Sequence, residues 1–178
     1  MNEQPTLMSR GQILAFGIYM ILLSLLLIYG LAKIWPAKVP GGLEGDIQLF
    51  YGTLHFHLWP ETRYLLIVTL TGALGSFIHL ATSFADFQGN RQLYGSWGWW
   101  YLLRPFIGVA LAIIMYFAVR GGLIAGTSGA DTLSPYGIAA IAGMAGLFSK
   151  QATDKLREVF EDLFKTTRPP DRSDKLTN

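Results

Sequence analysis

The chain has no cysteine, which excludes disulfides, thiolate nucleophiles and cysteine metal ligands. Charge is scarce as well. Only 15% of the 178 residues are charged, where a soluble domain carries about a quarter. The net charge of +2 is too small to point to nucleic acid. No repeat relates the two halves, so an inverted-repeat transporter is not indicated. No carboxylate pair and no nucleophile-and-base set stands out. "GLEGD" and "GTSGAD" contain glycine but lack a phosphate-loop pattern. Neither catalysis nor a cofactor is expected.

What the chain has instead is hydrophobic residues, 51% of the total and clumped. Residues 12–32 contain no charge, and residues 64–85 contain only His79 as an ionisable group. A third run covers 105–119 and a fourth 135–149. A spanning helix needs roughly 20 apolar residues. The first two runs reach this easily, and the third does when Trp99 to Leu103 are included. The fourth, "PYGIAAIAGMAGLFS", is marginal. The expected fold is an all-α membrane protein with four transmembrane helices, at about 12–34, 63–85, 99–120 and 135–150. The first run is too long for the core of a signal peptide and reads as a retained anchor.

Four spans put both termini on one side, and basic residues choose which. With the termini inside, that side holds Arg10, Arg91, Arg104, Lys150, Lys155, Arg157, Lys165, Arg168, Arg172 and Lys175, ten in all. The other side holds four: Lys33, Lys38, Arg63 and Arg120. The expected location is the inner membrane with both termini cytoplasmic, residues 1–10 forming a short leading segment. The belt "WGWWY" at 97–101 and the tryptophans Trp35 and Trp59 mark opposite interfaces.

Arg104 has two readings. It lies 16 residues before Arg120, roughly 24 Å along a helix, so the pair could bracket the hydrocarbon by snorkelling. Pro105 would then open the third helix. Alternatively Arg104 faces the bundle and pairs with Asp86 or a carbonyl.

Between the first two runs, "LHFHLW" alternates apolar and polar and puts His55 and His57 on one side of a strand. They could hold a metal with Glu44, Asp46 or Glu61; an amphipathic segment at the interface is the plainer reading. Residues 121–134 read as a flexible small-residue loop.

Two helix faces carry a pattern. Thr71, Gly72, Gly75, Ser76, His79, Thr82 and Ser83 fall on one face of the second run. Small and hydroxyl residues there suit close helix packing, or else line a polar path with His79 as its titratable member. In the fourth run Ala139, Gly143 and Gly146 make a small-residue packing seam. No helix breaker follows, so this helix is expected to continue into a cytoplasmic amphipathic helix over 151–166. Ala152, Leu156, Val159, Phe160, Leu163 and Phe164 form its apolar stripe. Its charges balance: Lys150, Lys155, Arg157 and Lys165 against Asp154, Glu158, Glu161 and Asp162. Mixed signs suit packing on another helix better than lying on anionic lipid. Residues 167–178 read as a disordered tail.

"GNRQ" at 89–92, "LLRPFIG" at 102–108, "YFAVRGG" at 116–122 and residues 136–164 resemble a group of small multi-helix bacterial membrane proteins without an established activity. The resemblance implies a bacterial inner-membrane origin and a multi-helix fold, and it brings no site residue with it. The expected function is structural or accessory. The chain would self-associate, or bind another membrane protein, through its fourth helix and the extension. The alternative is a homo-oligomeric pore. The expected partners are the lipid bilayer and a second copy or another membrane protein.

Overall fold

The computed structural model describes residues 6–36, 43–124 and 134–164. Five helices and one hairpin follow in order: α1 (Arg10–Ile34), β1 (Gly45–Leu49), β2 (Leu54–Leu58), α2 (Pro60–Gly89), α3 (Gly98–Arg120), α4 (Pro135–Leu147) and α5 (Ser149–Phe164). Three of them, α1, α2 and α3, are long and apolar enough to cross a membrane.

Three of the helices start where local chemistry favours it. Ser9 and Gln12 close a capping box on α1, satisfying two backbone donors reciprocally. Pro60 opens α2 at a position whose N–H would be unpaired anyway. Ser134 caps α4 by accepting the Gly137 N–H at 3.1 Å. At the end of α2 the chain reverses with Arg91 in the left-handed region, φ 55°. The Arg91 N–H donates to the Gln88 carbonyl and the Gln92 N–H to that of Phe87, the pairing of a Schellman motif. The loop that follows is pinned by the start of the chain. Met8 donates to the Leu93 carbonyl, and Gly95 to that of Thr6.

The core is the packing of α2, α3 and α4. Gly72 and Gly75 of α2, Gly108 and Ala112 of α3, and Gly143 and Gly146 of α4 meet at one crossing. A Cβ on Gly75 would overlap the Gly143 carbonyl, and one on Gly146 would overlap that of Gly72. Above the crossing, Tyr64, Val68, Ala112, Tyr116, Ile138 and Ala142 fill the interior. Numbering rises together along α2 and α4 at this contact, so the two run parallel, with α3 antiparallel to both.

α1 is attached differently. It packs on α2 and the hairpin and buries only Met20, Leu27 and Ile34, each seven residues apart. Only 11% of its most apolar stretch is buried, against 44% for α2.

Four sequence expectations change. The segment 36–62 contains an antiparallel hairpin with Asp46 opposite His57. Ile47 and Leu58 tuck against Ile34 and Ile67, so the hairpin covers the ends of α1 and α2. The third helix runs over Gly98–Arg120, close to the expected 99–120, so Pro105 lies inside it and does not open it. Burial of Tyr101 against Met8, Met20 and Leu80 holds seven residues in helix ahead of the proline, which leaves the Tyr101 carbonyl without its usual donor. The second helix runs on to Gly89, past the expected end at 85.

The fourth correction concerns the chain's last helices. α4 has 13 residues, about 20 Å, and does not extend to 150 or continue into α5 as one rod. Phe148 breaks the helical path with φ −107° and ψ 53°. On a straight continuation Ala152 would stand about 10 Å beyond Ala145. Instead it joins a buried cluster with Met115, Val119 and Ala145, and this apolar contact is what the bend gains. The expected tail at 167–178, residues 1–5 of the leading segment and residues 125–133 of the 121–134 loop lie outside the described residues.

Candidate functional site

Polar side chains gather at the two ends of α3 and are separated by the glycine crossing. At the end where Trp97, Trp99 and Trp100 lie, two features read separately in the sequence come together. The Ser76 hydroxyl, fully buried, donates to the Arg104 carbonyl at 2.7 Å. The Arg104 guanidinium donates to Ser149 Oγ at 2.9 Å and lies 5.6 Å from the Trp100 ring. His79 sits edge-on to the same ring at 6.2 Å. So α2, α3 and the start of α5 build one cluster: Ser76, His79, Trp100, Arg104 and Ser149.

Arg104 is half-buried and inside the helix. No carboxylate among the described residues pairs with it, Asp86 included. Its Nε is buried without an acceptor. Of the two sequence readings, the Asp86 pairing is not formed: the guanidinium is held by an aromatic face and a hydroxyl.

Two other hydroxyls of the polar face, those of Thr71 and Thr82, bond to carbonyls of their own helix. Thr71 donates to the Ile67 carbonyl at 2.7 Å, and Thr82 to those of Ile78 and His79. They form no continuous relay with His79. The small-residue seam also has a definite partner. Gly143 and Gly146 face Thr71 to Ser76 of α2, and Ala139 packs beside Ile67. Sequence periodicity identified both faces; that they face each other was not legible.

At the opposite end of α3 the sequence reading missed a clasp. The Glu61 carboxylate, in the first turn of α2, accepts from Tyr116 Oη at 3.0 Å and from Arg120. Arg120 also lies over Tyr64. Residue spacing could have found it, since Glu61 and Arg120 are the charges that bound two neighbouring apolar runs. Nearby, buried Arg63 donates to the Gly45 carbonyl at 3.3 Å and ties α2 to the hairpin.

On the hairpin, His57 Nδ1 lies 2.8 Å from Asp46 and Nε2 lies 3.4 Å from Glu44. The Asp46 hydrogen bond, reinforced by Glu44, raises the His57 pKa above the ordinary histidine value. Among the described residues no group of three or more His, Asp or Glu is arranged to hold a metal ion. His57 is engaged with the two carboxylates of the hairpin instead.

No family model matches the chain, and no curated protein or solved structure matches it. The cluster is therefore read from its own geometry.

Proposed function

We propose that this chain is an accessory protein of the bacterial inner membrane, with four membrane-embedded helices and both termini cytoplasmic, that associates with a second copy or another membrane protein. One observation carries the reading. Thr71, Gly72, Gly75 and Ser76, from the polar face that could line a path, are consumed by packing between α2, α3 and α4, while the opposite face of α4 is left open. Tyr136, Ala140, Met144 and Phe148 are exposed at four-residue spacing. Phe160 and Leu163 of α5 are exposed too. The reading thus keeps the fourth helix as the contact element but assigns the contact to its bulky face, not to the Gly143–Gly146 seam. The pore alternative would need its lumen between copies.

The absence of cysteine makes the test clean. Met144→Cys and Leu22→Cys, each the only thiol, are oxidised in membranes, and native mass spectrometry reads the copy number of the unaltered protein. Self-association through α4 gives disulfide dimers from Met144→Cys and few from Leu22→Cys. Dimers from Leu22→Cys alone move the contact to α1. A monomer with neither crosslink rules out self-association and directs the search to a different protein. A reporter fused after Asn178 reads the side of the C-terminus.

A further inference from the structure

The Arg104 cluster lacks a counter-charge. A guanidinium taken partly out of water needs an anion or a full set of acceptors. The chain supplies one hydroxyl and one ring face, leaves Nε without an acceptor, and brings no carboxylate among the described residues within ion-pair distance. Lys150, next in the chain to Ser149, is exposed and adds a second positive charge without a salt bridge among the described residues. The surroundings are greasy. Trp99, Leu103, Phe106 and Ile107 expose 73%, 49%, 66% and 42% of their surface. A small soluble anion would meet one cation amid hydrocarbon. A molecule with a phosphate joined to acyl chains matches both parts at once.

We propose that Arg104, assisted by Lys150, binds the phosphate of an anionic phospholipid whose chains lie along Leu103, Phe106 and Ile107 of α3. Trp100 and Ser149 hold the guanidinium in place, so the bound lipid bridges α3 and the start of α5. Basic groups between helices at the headgroup level take such lipids. The inference rests on the membrane reading above.

The test uses the full chain in detergent with equal phosphatidylglycerol and phosphatidylcholine, and native mass spectrometry counts the lipid retained. The unaltered protein retains phosphatidylglycerol preferentially. Arg104→Gln lowers that retention about fivefold, Lys150→Gln lowers it less, and Arg104→Lys restores much of it, on the scale of one cationic contact at a membrane surface. Equal retention of the two lipids by the unaltered protein, which requires no variant, overturns the proposal. So does unchanged retention by a folded Arg104→Gln protein. Inorganic phosphate that displaces the lipid at millimolar concentration would assign the site to a soluble anion instead. Extraction of the native membranes with alkaline carbonate reads the membrane assignment separately: release of the protein overturns that reading, whatever the lipid count.

Discussion

α1 and α4 are opposites. α1 has 25 residues and no charge from Gln12 to Ala32, yet it touches the rest of the molecule along a single stripe. Leu14, Ile21, Leu22, Leu25 and Leu26 all remain exposed. α4 has 13 residues, almost no bulk on its inner side, and sits against both α2 and α3. Side-chain bulk and attachment are therefore inversely related in these two helices. Among apolar surroundings a leucine gains little by leaving lipid for protein, whereas a glycine lets two backbones approach until dispersion and carbonyl contacts add up.

The contrast can be broken first at Gly146. Its Cβ position is occupied by the Gly72 carbonyl, so Gly146→Leu should cost about 3 kcal/mol or prevent folding, as overpacking does at a rigid contact. Gly143→Ala, whose Cβ would meet only the Thr71 carbonyl at 3.7 Å, should stay within about 1 kcal/mol. Thermal unfolding in detergent compares them, and equal losses would remove the glycine crossing as the organising contact. Next comes the clasp. Glu61→Gln gives up charge on a bond pair joining α2 to α3; because Glu61 is largely exposed, the expected loss is about 1 kcal/mol. A double-mutant cycle with Arg120→Met should show that loss as coupling, and additive effects would argue against the clasp. Ser76→Ala should cost about 0.6 kcal/mol, the usual size of an interhelical hydrogen bond in a bilayer, readable by the same unfolding measurement. At the far end of the scale, Leu25→Ala on α1 should change stability by no more than about 0.5 kcal/mol. A larger loss there would show that α1 is held more firmly than its one stripe suggests.

The hairpin sharpens the comparison through pH. His57 has a raised pKa in the folded chain, so its contribution is fully present below the ordinary histidine pKa, about 6.5, and is lost as pH rises through the folded value. An NMR titration of His57 should show the elevation, and Asp46→Asn should move the value back toward 6.5. No movement in that variant would detach the shift from the cross-strand pair.

The sequence disclosed the parts of this fold that depend on one helix at a time. Uncharged runs located α1, α2 and most of α3, because length and charge alone decide whether a helix suits hydrocarbon. Ser134 and Pro135 are legible as a helix start for the same local reason. What stayed hidden depends on a second element. Nothing at Phe148 announces a break; the bend appears only once Met115 and Val119 offer Ala152 a place to pack. Pro105 reads as a boundary until Tyr101 is seen buried behind it. Arg104 offered two readings, neither of which included Ser149, because 45 residues separate them. Of the candidate site, the residue types were visible and the assembly was not.

The short α4 also bears on how the protein is made. A segment about 20 Å long is a poor candidate to hold itself across a bilayer of roughly 30 Å. Its stable position depends on the notch that Gly72 and Gly75 form with α3. That notch exists only after α2 and α3 have already met, the clasp at Glu61 having joined them. On the proposed membrane placement, the earlier helices build the receptor for the later one: a chain ending before residue 135 would expose a slot lined by the bare backbone of Gly72 and Gly75.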